Sequence, residues 1–282
     1  MKLQISLAGA LASVLVTCVV VSAASAKSPR EIGNEAPTPL DAEISKAVFR
    51  DTVSNIPADD DLDSSKQDHP SYLADYAYSE VPPDKKPADT VLDSLKDIPI
   101  GTPQEEIKRA AEAFGVNATF MEAIAKIESD FDPKQKTGSY VGLFQLSKDE
   151  FAKYGSGDIL NVRDNAIAAA YKFATEAIVY QLRTHKEASF VDVYMIHQQG
   201  RAGAEEHLDH PDRLAWESMC ATDEGKAKGE KWCKRAIWDN TLPATKKLAK
   251  SVDNLTSEEF VNMWRDQVEH FYVHYSSDNY KD

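Results

Sequence analysis

The sequence predicts a mainly α-helical domain, and three observations carry that prediction. Ser/Thr-x-x-Glu capping boxes recur at Thr102–Glu105, Ser147–Glu150 and Thr256–Glu259. Apolar residues at helical spacing follow them, above all in the alanine-rich stretch "RDNAIAAAYKFATEAIVYQLRTHK". The only strand-like run that stands out is "GSYVGLFQL", which is too glycine-bound to make a long strand.

Taken in chain order, the first 26 residues pair a basic residue at position 2 with an apolar run and a small-residue ending, "ASA". That is the pattern of a secretory signal peptide cleaved after Ala26, and the run is too short for a membrane anchor. Thr17 before Cys18 is a poor match to a lipoprotein signal, so Cys18 is expected to leave with the peptide. Residues 27–99 are rich in Pro, Asp and Ser, with apolar residues thinly scattered. Such a segment buries too little surface to offset its ordering entropy and reads as a disordered or loosely helical acidic leader, with short pieces able to form helices against the domain, and as a linker more than a tether or inhibitor.

The folded domain is expected over 100–282. Thr102 caps a helix with Pro103 at its first position, Gly115 stops it, and Asn117 caps the next helix, "ATFMEAIAKIES". Ser147 opens a short helix ending near Gly155. "SFVDVYMIHQQG" makes another after the alanine-rich one, and Thr256 opens the last. Cys220 and Cys233 are the cysteines left after signal removal. In an exported chain they most simply pair as one disulfide, closing a loop worth about 3 kcal/mol.

Glu128 breaks the pattern of its helix. On a helical wheel Phe120, Met121, Ile124, Ala125 and Ile127 share one face, and Glu122, Lys126 and Asp130 fall on the other. Glu128 lands within the apolar arc. A carboxyl there loses hydration in its ionised form, its pKa rises, and it meets the requirement for a general acid near neutral pH. A buried salt bridge is the alternative reading. Asp132-Pro133 ends the helix soon afterwards, Gly138 and Gly142 permit close backbone approach to a ligand, and Gln145 supplies an amide inside an apolar run. Together these suit a polyol-binding cleft.

The formal net charge of −14 argues against nucleic acid as a partner. His207 and His210 in "EEHLDHPD" lack the helical i,i+4 spacing of a metal pair, and no metal or organic cofactor is expected. Trp216, Trp232, Trp238 and Trp264 read as core residues, at most one of them stacking on a sugar ring.

At this point the motifs carry a resemblance. Glu128-Ser129, Phe131 and Pro133, followed by Gly142-Leu143-Phe144-Gln145-Leu146, resemble the soluble lytic transglycosylases, a family of lysozyme-like, peptidoglycan-cleaving domains. Asn165 before its small-residue helix is similar to the family's next signature. The turn is about one residue shorter than usual, and Phe144 stands where methionine is usual. "HQQG" (197–200) replaces Tyr-Asn-Ala-Gly, so Gln198 stands in place of a sugar-bonding Asn with a longer side chain. The family's tyrosine near the acid has no clear match, and Tyr272 and Tyr275 are candidates.

The resemblance implies a lysozyme-like fold, Glu128 as sole acid and base, and Ser129, Gly142, Phe144, Gln145 and Gln198 as substrate-binding residues. It implies periplasmic cleavage of the MurNAc-GlcNAc bond with formation of 1,6-anhydro-MurNAc. The partners expected are peptidoglycan glycan strands, with an envelope or secretion-machinery partner left open. No second carboxylate is singled out by position, which favours the transglycosylase over a two-carboxylate hydrolase. A lysozyme-type muramidase and a weakly catalytic wall-binding or assembly protein are the rival readings.

Overall fold

The computed structural model describes residues 85–278, so the signal peptide and most of the leader fall outside the described residues. What it describes is mainly helical, with eleven α-helices, one 3-10 turn and one short hairpin. The chain ends of the helices follow the cap chemistry in the sequence. Thr102 and Glu105 exchange hydrogen bonds at the start of α2 (Pro103–Phe114), and Gly115 closes it in the left-handed conformation. Asn117 Oδ1 accepts from Phe120 N at 2.8 Å to open α3 (Ala118–Ser129). Ser147 and Glu150 box α4 (Lys148–Tyr154), and Asn161 caps the alanine-rich α5 (Val162–Thr184).

One boundary moves. Residues 87–95, read from sequence as the end of the leader, form α1 (Pro87–Leu95), with Ala88 fully buried and Val91 nearly so against α5. Pro87 occupies the first turn, where a missing N–H costs nothing, and Asp89 Oδ2 accepts from the Lys86 backbone amide at 3.3 Å. The proline that suggested a loop is a helix start. Ala88, Val91, Leu92 and Leu95 then make one apolar stripe.

The core is built around α3. It packs against α2 and against the last helix, α11 (Ser257–Asp278), which also lies along α6 (Phe190–Asp209). Phe120 is enclosed, stacked on Phe190 at 4.7 Å and tilted against Phe173 at 5.7 Å. Glu122, expected on the solvent face, is buried instead, and desolvation raises its pKa. A helix packed on two sides has a wider buried arc than a one-sided wheel suggests.

Four shorter helices fill the interval before α11: α7 (Ala215–Ala221), α8 (Asp223–Lys228), α9 (Glu230–Asp239) and α10 (Pro243–Ala249). The Cys220–Cys233 disulfide joins α7 to α9, as the cysteine count suggested. His207 lies inside, its Nδ1 3.0 Å from Ser257 Oγ, and His210 is exposed.

One buried ion pair anchors the N-terminal helices. The Arg163 guanidinium meets Glu106 through Nε at 2.8 Å and Nη2 at 3.1 Å. It also donates to the carbonyls of Leu95, Ile98 and Pro99, fixing the link from α1 to α2. Burial pushes the Glu106 carboxyl up, but hydrogen bonds from Arg163 and the Gly101 amide, with the charges of Arg163 and Arg109, hold it below the usual range. Removing Arg163 leaves the buried carboxylate with only Arg109 and the Gly101 amide, and strips the Leu95, Ile98 and Pro99 carbonyls of their shared donor. Arg163→Met is expected to lower unfolding free energy by about 3–5 kcal/mol, read from urea denaturation. A loss below about 1 kcal/mol would mean the link is held by other contacts.

Candidate active site

Glu128 sits in the last turn of α3, one residue before its end. The helix stops because Asp130 and Phe131 both adopt left-handed backbone (φ 53° and 62°), ahead of the Asp132-Pro133 break read from sequence. The carboxyl therefore opens into a cleft of about 230 Å³ and keeps 17% exposure. Gln145 lies beside it, Thr137 and Tyr140 of the hairpin (Lys136–Thr137 with Tyr140–Val141) form one wall, His197 and Gln198 of α6 another, and Asn240 closes the far side. Among the described residues lining the cleft, Glu128 is the sole carboxylic acid.

The Tyr194 hydroxyl donates to Glu128 Oε1 at 3.0 Å. Burial raises the Glu128 pKa from 4.5 to about 7, against the opposing pull of the Tyr194 hydrogen bond and the Lys172 charge, while Glu150 adds to the rise. Tyr194 is fully buried, packed edge-on against Trp264 at 5.5 Å. Burial and the Glu128 charge push its own pKa well above 10, so it stays a donor. Gln198 hydrogen-bonds Tyr194, and its carbonyl oxygen accepts from Gln199 Nε2 at 3.0 Å.

Behind the acid runs a polar chain. His197 Nε2 lies 3.9 Å from Glu128 Oε1, its Nδ1 lies 2.8 Å from Lys172 Nζ, and Lys172 Nζ lies 2.8 Å from Glu150 Oε1. An ammonium has only protons to offer, so Nδ1 must accept and the ring proton belongs on Nε2, facing Glu128. Burial and the Lys172 charge lower the His197 pKa, outweighing Glu150 and a backbone hydrogen bond at Phe144, and the ring is neutral. Burial raises Glu150, but the Lys172 charge and hydrogen bonds from Lys172 and Ser147 N bring it well below the carboxylate range. Gly200 ends this part of α6 with φ 69° and ψ 163°, a conformation nearly confined to glycine, which breaks the helix just past Gln198.

The sequence-derived residues divide. Gln145 lines the cleft as expected. Its Nε2 donates to the carbonyls of Gly142 (2.8 Å) and Gln135 (3.0 Å), which fixes the amide and leaves Oε1 buried without a hydrogen-bond partner in the protein. Its backbone is left-handed (φ 45°), a strained state for a side chain of this size. Gln198 also lines the cleft.

Three residues expected to bind substrate are not among those lining the cleft and pack into the frame around it. Ser129 Oγ lies 2.7 Å from the Leu143 carbonyl and 3.1 Å from that of Ala125, clipping the glycine turn to α3. Phe144 is wholly buried, edge-on to Phe173 at 5.8 Å. Gly142 is needed because a Cβ there would fall 2.4 Å from Asn165 Nδ2 and 2.7 Å from the Ile159 carbonyl. Asn165 in turn accepts from Phe144 N at 2.9 Å and donates to the Ile159 carbonyl at 2.9 Å.

Sequence reasoning missed Tyr194, His197 and Lys172. Tyr272 and Tyr275, named as partners of the acid, line no part of the cleft: Tyr272 packs on Phe190 and Tyr275 on Phe131. The signal was the spacing Tyr194, His197, Gln198, an i, i+3, i+4 set on one face of an otherwise apolar helix. None of the four tryptophans lines the cleft.

No protein-family model matches this chain, and no curated protein matches it in sequence.

The raised pKa makes Glu128 a charge-dependent weak point. Below pH 4.5 the carboxyl is protonated folded or unfolded and costs nothing. Between about 4.5 and 7 the unfolded chain ionises while the folded one does not, so this contribution to stability is lost as pH rises through the folded value. Glu128→Gln removes that loss. Its stability gain over the wild-type chain is expected to grow from near zero at pH 4 to about 3 kcal/mol above pH 7, measured by denaturation across pH. A gain independent of pH would show that the carboxyl titrates normally.

Proposed function

We propose that this protein is an exported lytic transglycosylase that cleaves the bond between MurNAc and GlcNAc in peptidoglycan, with Glu128 as sole acid and base. The observation that carries the reading is a single carboxyl, its pKa raised by burial to about 7, in a cleft otherwise lined by amides, hydroxyls and an imidazole. The ordered motifs from Glu128 to Gln198 support the family assignment, and the disulfide supports export to an oxidising compartment.

The chemistry needs one acid. Glu128 gives its proton to the glycosidic oxygen as the bond from the muramyl C1 breaks, and the leaving sugar departs as an alcohol. The carboxylate so formed receives the Tyr194 hydrogen bond already in place and then takes the proton of the muramyl 6-hydroxyl. That oxygen closes on C1, giving the 1,6-anhydro ring and restoring the protonated acid. The nucleophile is attached to the sugar it attacks, so no second carboxylate has to position water.

The test is mass spectrometry of fragments released from purified sacculi by the protein and by Glu128→Gln. Fragments ending in 1,6-anhydro-muramic acid, lost in the variant, are the expected result. For the wild-type protein kcat/KM should fall as pH rises through about 7, roughly tenfold by pH 8. Reducing ends would make it a muramidase, and binding without release by either protein would make it a wall-binding module.

A further inference from the structure

The polar chain behind Glu128 poses a problem for an acid catalyst. A carboxyl and an imidazole 3.9 Å apart can exchange a proton and become carboxylate and imidazolium, which their mutual attraction favours and their burial opposes. That state holds the same number of protons as the neutral pair, yet Glu128 then has none to give. Resting on the reading of Glu128 as the acid, we propose that Lys172, clamped by Glu150, is a positioning residue that keeps the catalytic proton on Glu128 by denying His197 a proton at Nδ1.

The geometry accounts for the block. Nε2 faces Glu128 and Nδ1 faces Lys172 Nζ at 2.8 Å. If the ring proton starts on Nε2, a second proton has to enter at Nδ1. If it starts on Nδ1, the ring can take the Glu128 proton at Nε2. Both routes to imidazolium end with a proton on Nδ1, pointed at an ammonium that has only donors. Like charge and opposed donors exclude it.

Lys172 cannot swing aside. It is 5% exposed, and Glu150 Oε1 holds it at 2.8 Å. The other Glu150 oxygen is fixed by Ser147 N at 2.9 Å and Ser147 Oγ at 2.8 Å. The Phe173 ring lies edge-on to the imidazole at 5.3 Å and resists a ring flip. The ionisable groups facing His197 are thus Glu128 from α3, Glu150 from α4, Lys172 from α5 and Tyr194 from its own helix, and the sole cation among them is on the Nδ1 side.

The two sides of this wall open differently. Glu128 and His197 line the catalytic cleft, whereas Lys172 and Glu150 line a separate cavity of about 260 Å³ with Glu176 and Arg201, themselves paired at 2.6 Å. Lys172 therefore acts on the reaction through His197 and touches no substrate in the cleft.

The test removes the buried pair together, since Lys172→Met alone would strand Glu150. In Glu150→Gln/Lys172→Met the capping box survives, because Gln still accepts from Ser147. Imidazole nitrogen NMR of purified wild-type protein is expected to show His197 neutral, with its proton on Nε2, from pH 5 to 8. In the double variant the same nitrogens should report imidazolium at pH 6, with kcat on sacculi down at least about tenfold, within the range of general-acid effects, and KM within about twofold. Adding His197→Asn, which leaves no base to take the proton, should then recover kcat at least about fivefold.

A double variant whose His197 stays neutral would overturn the proposal, whatever its activity. So would an imidazolium that leaves kcat unchanged, or a His197→Asn addition that lowers kcat further, since a purely structural role predicts no recovery. If wild-type protein releases no glycan fragments, the transglycosylase reading fails. The nitrogen spectra alone then decide where the proton resides.

Discussion

The Glu128 carboxyl is buried against a tyrosine at the end of a helix, and the surrounding architecture is arranged about the cost of that burial. A rise from 4.5 to about 7 corresponds to about 3 kcal/mol of discrimination against the ionised form. The helix could avoid that cost by rotating the residue outward. It does not, because α2 and α11 hold α3 on two sides and Phe120 and Ile124 lock its rotation in the core. The strain belongs to one side chain and is borne by the packing of its neighbours.

The wall opposite depends on a second constraint, the Asn165 amide. It spans the gap between the start of α5 and the turn after the hairpin, accepting from one backbone amide and donating to carbonyls on both sides. Gly142 must be glycine to admit it. The turn so fixed drives Gln145 into left-handed backbone and aims its amide with the same economy, two donated bonds and one oxygen left over. Ser129 then ties this turn to the helix carrying Glu128. The sequence resemblance joins these residues into one motif. Physically they are a frame, and only Glu128, Gln145 and Gln198 of the residues it marked face the cleft.

Local signals were legible because they are local. Capping boxes at Thr102, Ser147 and Thr256 need only their own four residues, and each appears as written. The anomaly at Glu128 was also legible, since an acid within an apolar arc is visible on a wheel. The start of the domain was not, because Pro87 can begin a helix as readily as it breaks one, and only docking on α5 decides between these. Glu122 was misplaced for the same reason: whether a polar flank is covered depends on α2 and α11, which hold α3 on two sides. Tyr194, His197 and Lys172 escaped because each looks ordinary alone. A tyrosine in an apolar helix, a histidine near a glycine and a lysine in an alanine run acquire a role only when α3, α5 and α6 meet.

That meeting bears on why a lysine and a glutamate lie buried behind the cleft at all. A pair of this kind adds little stability over apolar side chains of the same volume, since desolvation offsets most of the attraction. The residues beside it on α5 are otherwise apolar or aromatic, and Ala168, Ala169, Ala170, Tyr171, Phe173 and Ala174 are all buried around Lys172. A general stabilising role therefore explains it poorly, and a local electrostatic one explains it well. "HQQG" introduces an imidazole 3.9 Å from the Glu128 carboxyl. Such an imidazole competes with the acid unless its far nitrogen is occupied. The ammonium at 2.8 Å occupies it, and the Glu150 carboxylate lets that ammonium exist in the interior. The histidine and the ion pair are thus one device, and neither makes physical sense in this place without the other.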